Sequence, residues 1–177
     1  MNLDKVKSCL LIGNDLEVVL LKVAINYAER GLNVWFISPE AINNIPKEIK
    51  VPSTEVLKLI TFLYLRSYED LLNNLNKIQL WHRKPDMIIL NGLDIYCDIN
   101  SDQYNSLVSA SICAAILDNA SGSSGVQQTS LLIVSSEVPN ELSSRMKVLI
   151  DMYFPFVLNN ADKKKLYDDV VEYFLVK

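Results

Sequence analysis

The chain has 177 residues, half of them hydrophobic, which suits one domain with a sizeable core. Its net charge of −4 and pI of about 5 argue against an autonomous nucleic-acid binder, which carries a basic domain. No apolar run approaches the roughly 18 residues of a membrane span, and three separated cysteines with one histidine make a zinc site unexpected.

Met1 to Lys7 leads directly into a strand, so no secretory signal is expected. Residues 6–12 read as a buried strand that reaches Gly13. A helix follows over 15–30, with Leu16, Val19, Leu20, Val23, Ala24 and Tyr27 on one stripe and Gly31 as its stop. Val18, Leu21 and Ile25 lie off that stripe and pack on a partner or under the tail. Residues 32–38 read as a second strand, stopped by Pro39. A proline-punctuated excursion over 39–53 leads to a short helix at 53–59 and a strand at 60–64. Ser67 starts a helix to about Trp81, and Met87 to Leu90 form a strand buried on both faces. The helix expected over 101–120 is apolar almost all round, so it is buried on more than one side. Residues 121–130 read as a flexible surface loop before the strand at Leu131 to Val134. A helix over 140–152 follows, then strands at 154–159 and 170–176. Short apolar strands alternating with helices define an α/β domain, with a mainly parallel sheet covered on both faces.

The chemistry sits at two strand ends. Strand, glycine and helix around Gly13 outline a Walker A motif, G-x-x-x-x-G-K-[ST]. Counted from Gly13, the second glycine falls at Val18, the lysine at Val19 and the hydroxyl at Leu20, and all three are apolar. Asp15 and Glu17 are placed to cap the helix and answer its dipole, and they would repel a triphosphate. Lys22, nearly a turn beyond the lysine position, reads as a surface residue. The strand Ile88-Ile89-Leu90 has the Walker B outline, yet Asn91 stands where the Mg²⁺-binding acid belongs. Asp94, three residues on, reads as a loop or capping residue. Thus Gly13, Asn14, Asp15, Val18, Val19, Leu20 and Asn91 outline a degenerate nucleotide pocket, with no cofactor, metal or catalytic residue expected. His82 reads as a helix-end surface residue, and Cys9, Cys97 and Cys113 as reduced core cysteines.

The segments Leu59 to Tyr64, Ser67 to Leu72 and Ile88 to Tyr96, in that order, resemble the RecA-type recombinase paralogues. The likeness is greatest to the RecA-like subunit of metazoan Shu-type complexes, and it continues through the helix after Asp102 and the strand Leu131 to Ser135. The resemblance implies a single RecA-like core, of the P-loop NTPase type, over 1–177. It implies a nuclear accessory subunit that promotes or stabilises recombinase filaments on single-stranded DNA in homologous recombination. A SWIM-domain protein or another recombinase paralogue would be its heterodimer partner. The missing lysine points to a pseudo-ATPase, with an ATPase completed in trans or an unrelated doubly wound α/β protein as alternatives. Little precedes the first strand, so no N-terminal DNA-binding domain is expected, and Ser135 to Glu141 is short and acidic for a DNA-binding loop. Lys163, Lys164 and Lys165 form the strongest basic cluster, ahead of Lys47/Lys50 and Arg83/Lys84. It reads either as a charged turn or as a phosphate contact made within a complex.

Overall fold

A computed structural model of the protein describes residues 6–42, 46–123, 129–137 and 143–175. Among these residues the apolar runs become six strands: β1 (Val6–Ile12), β2 (Val34–Ser38), β3 (Ile60–Tyr64), β4 (Met87–Leu90), β5 (Ser130–Ser136) and β6 (Val157–Leu158). The sheet order is β3-β2-β4-β5-β1-β6, and every pairing is parallel. β2 and β4 are buried along their whole length, which explains runs such as Val-Trp-Phe-Ile that lack polar alternation. Among the described residues, β3 forms one edge and pairs only with β2.

Among the described residues, seven α-helices cover both faces: α1 (Glu17–Glu29), α2 (Thr54–Leu57), α3 (Tyr68–Leu75), α4 (Leu93–Tyr96), α5 (Ser106–Ser123), α6 (Ser144–Tyr153) and α7 (Lys163–Leu175). The pleat sends Leu10, Ile12, Trp35, Ile37, Ile88, Leu90, Leu132 and Val134 into a core with α3, α5 and α6. Cys9, Leu11, Val34, Phe36, Met87, Ile89 and Ile133 point the other way, into a core with α1 and α7. The chain travels toward the β3 edge through α1 and α2, and back across the sheet through α3, α5 and α6. Right-handed crossovers require the covering face to switch when the direction of travel reverses. In both common doubly wound orders the first strand pairs with the second; here β5 and β6 flank β1. The molecule is an α/β domain with an all-parallel sheet flanked by helices, consistent with a single RecA-like domain.

Several elements differ from expectation. The tail is a helix over Lys163–Leu175, not a strand at 170–176. Leu166 and Val170, one turn apart, are both fully buried. Tyr173 stacks on Phe156 with ring centroids 3.8 Å apart and donates to the Ser8 carbonyl at 3.0 Å. Packing along that stripe outweighs the strand propensity of Val170 and Val171. The helix after Ser67 ends at Leu75, with a single 3-10 turn at Ile78–Leu80 before Trp81. α5 begins at Ser106 rather than 101 and continues through Ser123, so 121–123 are helical and 124–128 lie outside the described residues. α6 begins at Ser144 with Ser143 as its cap, and 138–142 lie outside the described residues. The Gly31 stop holds: at φ +88 it ends α1, its N–H bonded to the Ala28 carbonyl and the Leu32 N–H to that of Tyr27.

Candidate functional site

The C-terminal ends of β1, β4 and β5 lie side by side, so residues far apart in sequence meet there. The β1 end is joined to β5 by the Gly13 N–H, which donates to the Ser136 carbonyl at 3.2 Å. A methyl group at Gly13 would come within 3.3 Å of Leu16, because the chain folds tightly over that side chain before entering α1. Asp15 takes the left-handed conformation, φ 50, at this turn. Leu16, buried, is the N-cap of α1 and makes no side-chain capping bond. The expected capping role of Asp15 is therefore corrected. Glu17 does fall in the first helical turn.

Where a phosphate loop turns its backbone donors toward an anion, the Asp15 N–H is bonded by the Glu137 carboxylate at 3.1 Å. Asp15's own carboxylate faces Lys163 Nζ at 3.6 Å. The lysine and hydroxyl positions of the Walker outline are inside the protein: Val19 is 1% exposed and Leu20 0%. Val18 is half-buried against the same core, while Asn14 lies on the surface. A lysine at position 19 would point into the core between α1 and the sheet.

The β4 end is equally occupied. The Asn91 Oδ1 accepts from Ser135 Oγ at 2.7 Å, and Ser135 Oγ accepts from the Gly92 N–H at 3.3 Å. Gly92 has φ +86, and the chain turns there into α4. Asp94 accepts from Ser136 Oγ at 3.2 Å and from the Glu137 N–H at 2.8 Å. It acts as a clamp between β4 and β5. Among the described residues, no group of three His, Cys, Asp or Glu side chains is placed to hold a metal ion. The sequence marks Ser135, Ser136 and Glu137 only as part of a short acidic loop, because no local pattern aligns them with Asn91, Asp94 and Asp15.

The Lys163–Lys165 cluster forms the exposed first turn of α7 rather than a free turn. Three cations at the positive end of a helix are unfavourable. Asp162 offsets them by accepting the N–H groups of Lys164 and Lys165 at 2.9 and 3.3 Å. Lys163 thereby reaches the mouth of the nucleotide-pocket outline, and Lys164 lines a cleft of about 810 Å³ with Lys22 and Lys50. Lys22 thus lies on the cleft floor and is half-buried rather than fully solvated. Of the three residues off the α1 stripe, Leu21 is 5% exposed, and it and Ile25 line a smaller apolar pocket beside β3; Val18 does not. His82 is exposed. All three cysteines are buried and free, and burial pushes the Cys9 thiol up to about 12.

No family model matches this chain, and no curated protein matches it either.

Proposed function

We propose that this protein is a non-catalytic recombination accessory subunit. It acts as a heterodimer with a SWIM-domain protein or another recombinase paralogue, in the nucleus. It assists a recombinase on single-stranded DNA and meets the DNA only as part of that complex. The recombination role and the partner rest on the sequence resemblance, and one observation supports the non-catalytic part. At the ends of β1 and β4, where the sequence outlines a nucleotide pocket, the positions that would handle a triphosphate hold groups that serve the fold. Val19 and Leu20 pack in the core, Glu137 takes the Asp15 N–H and Asn91 is held by Ser135. A carboxylate at the mouth of the loop also opposes phosphate charge directly. The retained scaffold then contributes surface rather than hydrolysis.

The test is titration of Mg²⁺-ATP against the purified chain and against its complex with the SWIM-domain protein. A filament-assembly assay on single-stranded DNA, with and without the complex, accompanies it. Micromolar nucleotide binding by either preparation overturns the non-catalytic reading in favour of an ATPase completed in trans. Failure of the complex to form, or to alter filament assembly, overturns the accessory role.

A further inference from the structure

The outward stripe of α1 is the floor of the 810 Å³ cleft. Lys22, Ile25, Asn26 and Glu29, spaced three and four apart, run for about 10 Å along one helix face. One wall is α7, with Lys164, Tyr167 and Asp168; the other is the segment 48–56. Asn26 Nδ2 donates to the Tyr167 hydroxyl at 3.0 Å and fastens floor to wall. Toward the β3 edge this trough shares Ile25, Ile49 and Pro52 with a second pocket of about 150 Å³, completed by Leu21, Ile42 and Phe62 among others. An apolar cavity of roughly this size accepts a benzene-sized group. Its surroundings are apolar and accessible: Val51 is 67% exposed, Tyr64 43% and Leu57 38%.

Charge decides the class of occupant. The trough carries Lys22, Lys50 and Lys164 against Glu29, Glu48 and Asp168, and none of the six is ion-paired with another. Equal numbers of both signs give no net field for a polyanion, which needs clustered cations. They suit a polypeptide carrying both signs of charge. A small pocket for one large side chain beside a polar trough is the arrangement of a central anchor with a charged rim.

We infer that the trough over α1 and its adjoining apolar pocket form the docking surface for a peptide segment of the partner protein. That segment places one large aliphatic or phenyl side chain in the pocket and charged side chains of both signs along Lys22, Glu29, Lys164 and Asp168. The inference rests on the reading that the chain works in a protein complex.

The test pans phage-displayed random dodecapeptides on the full chain. Selected peptides are expected to share a large apolar residue. Their affinity should fall about tenfold or more with Val51→Asp combined with Leu57→Asp. It should be unchanged with Leu107→Asp, a 77% exposed residue on α5 of the opposite face. Melting curves establish that the variants fold. No enrichment, or peptides indifferent to Val51→Asp/Leu57→Asp, overturns the inference. So does oligo-dT binding by the chain alone that is abolished by Lys22→Glu with Lys164→Glu, which would assign the trough to nucleic acid. A SWIM-domain complex that forms normally with Val51→Asp/Leu57→Asp overturns it as well, while leaving the heterodimer reading intact. Peptide binding without any such complex leaves the surface in place and removes the proposed partner.

Discussion

A lysine placed at position 19, the Walker position of the sequence outline, should not create a nucleotide pocket; it should unfold the protein. Val19 is 1% exposed and packs with Leu20, Val23 and the sheet. In Val19→Lys the ammonium has no route to water along α1. Keeping the side chain inside requires it to be neutral, and at pH 7 that costs about 4–5 kcal/mol against an ordinary lysine pKa near 10.4. Overpacking adds about 1–3 kcal/mol. The sum of about 5–8 kcal/mol is comparable to the whole stability of a typical domain, about 5–15 kcal/mol. The sign with pH is diagnostic. The unfolded variant binds one more proton than the folded one between pH 7 and 10. Stability relative to wild type therefore rises with pH, by about 1.4 kcal/mol per unit. Urea unfolding followed by circular dichroism at several pH values measures this, with Mg²⁺-ATP titration alongside. A Val19→Lys protein with the wild-type midpoint, no added pH dependence and micromolar ATP affinity would refute the reasoning. It would mean that side chain 19 can turn toward the strand ends.

Three further outcomes are expected. Leu166→Ala should cost about 2–5 kcal/mol because its side chain is fully buried under α7. The neighbouring exposed Asp168→Ala should stay within about 0.5 kcal/mol; equal effects in thermal melts would argue against the helical register of the tail. Gly31→Ala meets no atom within 4 Å, so only its φ of +88 opposes it. Unfolding curves should register a loss of about 1–2 kcal/mol, and a neutral result would remove the left-handed stop of α1. Cys9 should resist a thiol reagent at pH 8 in the folded chain and react once urea unfolds it, because burial raises its thiol from 9.0 to about 12. The folded state holds that proton longer, so its contribution to stability is complete below about pH 9 and is lost as pH rises toward 12.

The strands were legible because full burial demands uninterrupted apolar runs, and Val34–Ser38 or Met87–Leu90 cannot serve elsewhere. The two strand ends, Gly13 and Asn91, were legible for the same reason: each follows such a run immediately. The tail was not, since Val170-Val171-Glu172-Tyr173-Phe174 carries strand propensity over a helical spacing, and only packing on α1 and β1 decides between them. α4 is a single turn between Gly92 and Cys97, too short for a periodic signal. The contacts that join the strand ends were illegible in principle. Asp15 meets Glu137 across 122 positions and Lys163 from near the other end of the sequence. Such contacts follow from strand order, which no local pattern encodes.

The open edge of the sheet has a consequence for the life of the protein in a cell. β3 reads Ile60-Thr61-Phe62-Leu63-Tyr64, without a charge or a proline to discourage pairing. Half of its amide groups have no strand beyond them among the described residues. Edges of this kind recruit other chains, including further copies, unless something covers them. Newly made copies in excess of any covering subunit should therefore aggregate or be degraded. Steady-state abundance would then track the supply of that subunit rather than the rate of this chain's own synthesis.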